Sequence, residues 1–215
     1  MYIGRIVSVA KTRDGRLCAV YRVSSRSFPN RTAVVGADKV SIVPKPGHET
    51  DVQKNPYIAY NCVRVVSDSQ VAVVTNGSHT DAIAEKIAQG MPVRDALALA
   101  MLALDYEKDQ YNTPRISAVA DKRDGAAWLA VVRDDGIEVS RIALEPGQCR
   151  YVATYEENSL SEAQCNAFAP ETAEAACAYI LREGVFAQRE NPITAVAAMA
   201  SEAGFALAAR DDVQA

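Results

Sequence analysis

The segment Tyr-Arg-Val-Ser-Ser-Arg-Ser-Phe-Pro-Asn-Arg at residues 21–31 carries three arginines and three serines where a predicted strand runs into a turn. Guanidinium groups donate paired hydrogen bonds to phosphate, and serine hydroxyls and free backbone N–H groups add further donors. The segment predicts either a phosphate monoester site or a solvated turn whose arginines pair with surface acids. Its candidate side chains are Arg22, Arg26, Asn30 and Arg31.

A second polar segment, Asp-Tyr-Glu-Lys-Asp at residues 105–109, lies between a predicted buried helix and a strand that follows Asn-Thr-Pro-Arg at 112–115. Glu107 beside Lys108 can supply a proton acceptor and a proton donor, because burial and mutual charge retune both groups. The alternative interpretation is a frayed polar end of the helix.

A third segment, Asn-Pro-Tyr-Ile-Ala-Tyr-Asn at residues 55–61, contains two tyrosines. Strand alternation places Tyr60 on the same face as Ile58 and Cys62. This pattern alone favours core packing for Tyr60 over a role in acid–base chemistry.

The fourth segment, Thr-Asn-Gly-Ser-His-Thr-Asp at residues 75–81, ends a predicted strand and begins a helix. The exposed amides of a helix N-terminus attract anions. However, Asn76 and Gly77 are also typical of any strand-to-helix turn, so the indication is weak. His79 is predicted to be an ordinary turn residue.

The charge distribution favours a small anionic ligand over a polyanion. Residues 1–64 carry eleven Lys and Arg against four Asp and Glu, or +7, whereas residues 65–215 carry −11. A long basic stripe with interleaved aromatic residues, as in nucleic-acid binding proteins, is lacking. Sixteen of the twenty-three basic residues are arginine. Its guanidinium group binds phosphate or carboxylate through paired hydrogen bonds better than the ammonium group of lysine does. We therefore predict a small phosphorylated ligand and no nucleic acid.

Composition indicates a globular chain of 215 residues, 49% hydrophobic and 23% charged. No apolar run approaches the roughly 18–20 residues that span a bilayer, and residues 1–5 are typical of a strand, not of a signal peptide. We expect a cytoplasmic protein without membrane contact. Five cysteines that form no Cys-x-x-Cys pair, and only two histidines, His48 and His79, argue against a disulfide framework and a metal site.

The predicted elements run as several strands, two helices, several strands and two helices. Hairpin-connected strands between helix pairs favour two antiparallel sheets stacked face to face with helices outside, which is an α+β fold. We predict a single domain over residues 1–215. The last helix pair is predicted at residues 170–183 and 192–204, with a final strand at 205–209.

The four polar segments together resemble the archaeal-type IMP cyclohydrolases, and the similarity extends to the Met-Tyr-Ile-Gly-Arg start and to Tyr-Val-Ala-Thr-Tyr-Glu at 151–156. The resemblance implies a four-layer αββα fold like that of the N-terminal-nucleophile hydrolases. Those hydrolases use an N-terminal Cys, Ser or Thr, whereas here Tyr2 follows Met1, so the resemblance implies the fold without that chemistry. It implies ring closure of formamidoimidazole-carboxamide ribotide to inosine monophosphate (IMP), with loss of water and without a metal or other cofactor.

The resemblance also implies roles for individual residues. Arg22 and Tyr60 are expected to position and polarise the formyl and carboxamide groups. Glu107 is the candidate proton shuttle, with Lys108 as its electrostatic partner. The remaining expected substrate contacts are Arg26, Asn30 and Arg31 at phosphate and ribose, and Asn76, Asn112 and Arg115 at the base.

Two other functions remain open. One is an amidohydrolase of the same fold, activated by internal cleavage that exposes a serine, threonine or cysteine. The other is a non-enzymatic nucleotide sensor that uses the arginine segment only for binding. We further expect a homo-oligomer, because the predicted helices rich in small residues can pack against a partner subunit.

Overall fold

A computed structural model describes residues 1–212. The strands are β1 Ile6–Lys11, β2 Leu17–Ser24, β3 Arg31–Val35, β4 Lys39–Pro44, β5 Tyr60–Val66, β6 Val71–Thr75, β7 Arg115–Asp121, β8 Ala126–Arg133, β9 Gly136–Ile142, β10 Gln148–Ala153, β11 Cys165–Ala167, β12 Pro192–Ser201 and β13 Gly204–Asp211. The α-helices are α1 Asp51–Lys54, α2 His79–Ala88, α3 Val93–Leu104 and α4 Ala173–Arg182. None of these helices is long and apolar enough to cross a membrane.

The strands form two antiparallel sheets. The first has six strands in the order β11-β10-β1-β2-β12-β13, and the second has seven in the order β3-β4-β5-β6-β7-β8-β9. All neighbouring strands in the second sheet are also consecutive in sequence, as antiparallel pairing allows. Two of the connections contain helices: α1 lies between β4 and β5, and α2 and α3 lie between β6 and β7. The α+β class and the two stacked antiparallel sheets predicted from the sequence are confirmed.

Three apolar layers hold the sheets and helices together. Tyr21 and Val23 point from β2 into the layer between the sheets, whereas Cys18 and Val20 point to the opposite face, towards α4. The third layer joins α2 and α3 to the outer face of the seven-stranded sheet. This alternation follows from the two-residue period of a strand. The four-layer αββα order is confirmed, while the likeness to the N-terminal-nucleophile hydrolases stays an expectation.

The predicted helix at 192–204 is wrong. Those residues begin with strand β12, which pairs with β2 on one side and β13 on the other. Ala195 and Ala197 face α4, while Val196 and Ala198 face the second sheet. A strand buried on both faces is a continuous apolar run, so its periodicity does not distinguish it from a buried helix. Tertiary packing here overrides the helix propensity of alanine.

Other boundaries agree more closely with the sequence predictions. The strand predicted at 205–209 is confirmed as β13. The strand alternation applied to the segment at residues 55–61 begins only at Tyr60, because Pro56–Ile58 forms a 3-10 turn. Four cysteines, Cys18, Cys62, Cys149 and Cys177, are buried and unpaired.

Candidate active site

A cleft of about 790 Å³ opens where strands β1 and β5 begin and strands β2 and β10 end. Five stretches of chain line it: Tyr2 with Arg5, residues 24–28 with Arg31, residues 54–58, residues 109–111, and residues 155–156. Strand pairing explains why these stretches meet, because Ile6 at the start of β1 is opposite both Arg22 of β2 and Ala153 of β10. The volume is within the range of pockets that bind small molecules.

The segment before β1 brings Arg5 into the cleft. Gly4 has a φ of +79°, and a Cβ at this position would lie 2.1 Å from Thr154 Oγ1. Only glycine fits this approach. The Arg5 backbone N–H then donates to Thr154 Oγ1 at 3.0 Å, and its guanidinium reaches Glu107 Oε2 at 3.2 Å. Residue-level reasoning missed Arg5, although the Met-Tyr-Ile-Gly-Arg start carried a signal for it.

The arginine segment forms one wall of the cleft. Arg26 stacks over the Tyr2 ring, with its guanidinium carbon 4.0 Å from the ring centroid. Arg31 donates through Nε to the Phe28 carbonyl at 3.1 Å, while its Nη1 is buried and has no partner within residues 1–212. Both side chains therefore keep guanidinium donors available for an anionic ligand.

Glu107 is the buried acid beside this cleft, with 1% of its surface exposed. Its carboxylate lies between two arginines: Arg5 at 3.2 Å and Arg115 at 3.7 Å. Burial has the largest single effect on Arg5 and lowers its pKa. The Glu107 carboxylate, together with Tyr21, Tyr60 and Tyr155, outweighs burial, so the net shift is upward. Burial also lowers the pKa of Arg115. Here Glu107 offsets only part of the effect of burial, so the net shift is downward.

The loop around Glu107 is held by backbone contacts. The Glu107 N–H donates to the Thr113 carbonyl at 2.8 Å, which closes the loop between α3 and β7. Arg115 donates through Nε to the Asp105 carbonyl at 2.7 Å. These contacts fix the carboxylate and Arg115 relative to each other.

The turn between β6 and α2 packs behind this acid. Asn76 Oδ1 accepts from the Ile116 N–H at 2.8 Å, and Asn76 Nδ2 donates to the Pro114 carbonyl at 3.0 Å. His79 is fully buried, and its Nε2 lies 3.2 Å from the Ile116 carbonyl. Burial, followed by the charge of Arg115, lowers the pKa of His79 to about 3. His79 is therefore neutral near pH 7.

Tyr60 lies behind the cleft, between the sheets. Its hydroxyl is 2.6 Å from the Tyr21 hydroxyl, and both side chains are buried. Burial raises the pKa of Tyr60, while the positive charges of Arg31 and Arg5 act in the opposite direction. The hydroxyl is thus kept protonated, as a hydrogen-bond donor requires.

Comparison with known proteins decides the family. The model of a family described as IMP cyclohydrolase-like protein matches residues 2–204. The chain belongs to this family. It is 55% identical over 172 residues to an IMP cyclohydrolase of Methanocella arvoryzae, covering 80% of this chain and 82% of the relative. It is 48% identical over 198 residues to that of Methanosphaera stadtmanae, covering 92% and 94%. The enzyme of Methanocaldococcus jannaschii is 42% identical over 211 residues, covering 98% and 99%.

Within this IMP cyclohydrolase-like chain, the cleft gathers only part of the predicted site. Arg26 and Arg31 line it, and Arg5 links it to a group behind it that contains Glu107 and Arg115. The Asn76 side chain forms hydrogen bonds with the backbone of Pro114 and Ile116. Asn30 does not line the cleft.

Three other predicted side chains have different partners. Lys108 is exposed and contacts Asp105 at 2.5 Å and the Tyr106 ring, so the arginines replace it as partners of Glu107. Asn112 is exposed and donates to Asp134 at 3.2 Å. Arg22 is fully buried and does not line the cleft. Its guanidinium donates to Ser24 Oγ and to the carbonyls of Ile180, Leu181, Phe186, Arg189 and Glu190.

Proposed function

We propose that the protein is an IMP cyclohydrolase that closes formamidoimidazole-carboxamide ribotide to IMP and releases water. The observation that carries this proposal is the Glu107 carboxylate, buried between Arg5 and Arg115 beside an arginine- and serine-lined cleft. The naming of the relatives as IMP cyclohydrolases supports the same conclusion.

The reaction needs orientation and proton transfer. The carboxamide nitrogen attacks the formyl carbon, a nitrogen–carbon bond forms, and one carboxamide proton moves to the formyl oxygen. The carbon–oxygen bond then breaks, and water leaves as the former formamido nitrogen loses its proton and forms the ring C=N bond. Holding two reacting groups in the attacking geometry can supply about 7–11 kcal/mol in model systems.

Arg26 and Arg31 are the proposed phosphate contacts. Both arginines belong to the same segment as Ser24, Ser25 and Ser27, and these serines also line the cleft. Guanidinium forks with nearby hydroxyls suit the three equivalent oxygens of a phosphate monoester. This assignment places the ribotide phosphate at the 24–31 wall and directs the imidazole towards residues 54–58.

Glu107 is the proposed proton shuttle. A general base has to lie within about 3 Å of the proton it takes, or one water away, and such distances shorten when substrate binds. Arg5 contacts the carboxylate and also lines the cleft, so it connects Glu107 to the substrate. We assign Arg5 and Tyr60 as donors to the formyl oxygen, whose negative charge grows during the attack.

The test is direct conversion of the ribotide. Purified protein is incubated with formamidoimidazole-carboxamide ribotide, ring closure is followed by ultraviolet absorbance, and IMP is identified by chromatography. We expect formation of IMP without added metal or coenzyme. Tight binding of IMP without turnover would instead support a sensor, and an internally cleaved chain on intact mass measurement would support the amidohydrolase.

A crystal soaked with IMP locates the site. We expect its phosphate within hydrogen-bonding distance of Arg26 or Arg31 and its base on the side of Glu107. Binding elsewhere on the surface would contradict the proposed site while leaving the activity assay to decide the reaction.

A further inference from the structure

Three buried polar atoms from different parts of the chain face the same spot beside Gly77. Measured from the position that a Cβ on Gly77 would take, Arg115 Nη1 lies at 2.9 Å, His79 Nδ1 at 3.2 Å and Glu107 Oε1 at 3.3 Å. None of the three has a hydrogen-bond partner within residues 1–212. A buried polar atom without a partner costs free energy, so their convergence requires an explanation.

The protonation of these atoms follows from their other contacts. The Ile116 carbonyl can only accept a hydrogen bond, so His79 Nε2, 3.2 Å away, carries the ring proton. Neutral His79 therefore presents an acceptor at Nδ1. Glu107 Oε1 is a second acceptor, and Arg115 Nη1 is a donor. The spot thus offers one donor and two acceptors.

The geometry points to a binding site for one water molecule beside Gly77, held by Arg115 Nη1, His79 Nδ1 and Glu107 Oε1. Through this water His79 is a positioning residue for Glu107, an inference that rests on the proposed shuttle role of that acid. A water accepts from one donor and donates to two acceptors, which matches the three atoms, and buried waters typically make about three such bonds.

A neutral acceptor at His79 suits a carboxylate that changes protonation during turnover. While Glu107 is ionised, the water donates to Glu107 and to His79. When Glu107 carries the transferred proton, the water accepts from it and from Arg115 and still donates to His79. His79 thus orients the water in both states, so the carboxyl group keeps its position through the reaction.

Gly77 keeps the space open. A methyl group here would approach Arg115 Nη1 to 2.9 Å, closer than side chains normally come, and would occupy the volume on which the three atoms converge. The adjoining turn is fixed by Asn76, so Gly77 cannot move away freely. The absence of a side chain at residue 77 is therefore part of the site.

Two substitutions distinguish the role of His79 Nδ1 from that of His79 Nε2. His79→Gln keeps a donor in the position of Nε2 for the Ile116 carbonyl but lacks the acceptor at Nδ1. We expect it to lower kcat about tenfold, the rate equivalent of one hydrogen bond, with KM within about twofold of wild type and a melting temperature within about 3 °C. His79→Asn keeps the acceptor but loses the Ile116 contact, so it should recover most of the lost kcat at a lower melting temperature.

The opposite order would overturn the inference: full kcat in His79→Gln, with losses of activity and stability together in His79→Asn, is the pattern of a purely structural histidine. His48→Gln, at the histidine outside the cleft lining, serves as the control and should match wild type. Inactive wild-type protein would refute the proposed function itself, whereas active wild type with unchanged His79→Gln refutes only this site.

A crystal structure that resolves ordered waters supplies a second measurement. We expect a density peak within hydrogen-bonding distance of all three atoms in wild type and its loss in Gly77→Ala. Direct contact of Arg115 Nη1 with His79 Nδ1, without a peak between them, would overturn the inference.

Discussion

Arg22 and Arg115 are both buried arginines on strands, but they find different partners. Arg22 donates to five backbone carbonyls at the end of α4 and in the chain that follows it, and to Ser24. Arg115 instead contacts the carboxylate of Glu107 and the carbonyl of Asp105. Burial, reinforced by the charge of Arg182, lowers the pKa of Arg22 to about 10.

The difference teaches what each cation does. Carbonyl oxygens do not titrate and belong to a fixed backbone, so Arg22 ties α4 and the following turn to β2. A carboxylate can exchange a proton, and Glu107, the proposed proton shuttle, lies beside a cleft of small-molecule size. Burial alone therefore does not identify a catalytic arginine; the chemistry of its partners does.

The largest expected effect comes from Arg22→Met. Five backbone carbonyls would lose their donor inside the protein, and removing one member of a buried charged network typically costs about 3–5 kcal/mol of unfolding free energy. Urea unfolding measures this loss. Arg141→Met, at an exposed arginine paired loosely with Asp124, is the matched control and should change stability little. A variant that unfolds like wild type but no longer turns over would return Arg22 to the catalytic role predicted from the sequence.

Glu107→Gln tests the other side of the comparison. Glutamine keeps an acceptor for Arg5 but cannot take a proton, so we expect kcat to fall about a hundredfold or more with little change in KM. The ring-closure assay measures both constants. Glu85→Gln on α2 is the control for loss of an exposed acidic group. Turnover within a few-fold of wild type would mean that Glu107 only positions Arg5.

Sequence reasoning selects Glu107 as a candidate but does not predict its partners, for a physical reason. Lys108 is adjacent in the chain, yet its ammonium turns outward to Asp105. The true partners come from elsewhere: Arg5 lies 102 residues earlier, on the approach to another sheet. Pairing of this kind depends on how the two sheets stack, which local patterns do not encode.

The fold is more predictable than the site because the order of its elements can be read locally along the chain. Hairpin-connected strands between pairs of helices are sufficient to predict two stacked antiparallel sheets. β12 was mistaken for a helix because both of its faces are apolar. The turn motif of His79 does not predict its surroundings, because Arg115 and Glu107 converge with it beside Gly77 only in three dimensions.

The pH dependence of stability separates the buried cluster from the rest of the protein. Unfolded His79 takes up a proton near pH 6.5, whereas folded His79 does so only near pH 3. The unfolded state therefore binds more protons between these values, and stability falls as the pH decreases from about 6.5 towards 3. Per pH unit of acidification, the unfolding free energy of wild type should fall further than that of His79→Gln, by up to the amount that corresponds to one bound proton. Urea unfolding at several pH values measures this, and parallel curves would contradict a buried neutral histidine.

The smallest expected effect comes from Arg26→Ala, at an exposed arginine that contrasts with the buried Arg22 and Arg115. Arg26 lies at the cleft wall over Tyr2, where solvent screens its charge, so one lost phosphate contact should raise KM about fivefold and leave kcat within about twofold. Added salt should raise the KM of wild type more than that of Arg26→Ala, because the variant lacks the charge that salt screens. Arg26→Lys should lie between them, since an ammonium keeps the charge but not the fork. Arg94→Ala, an exposed arginine on α3, controls for net charge. A fall in kcat at unchanged KM would instead assign Arg26 to the reacting groups, which would remove the distinction between a solvated binding wall and a buried catalytic cluster.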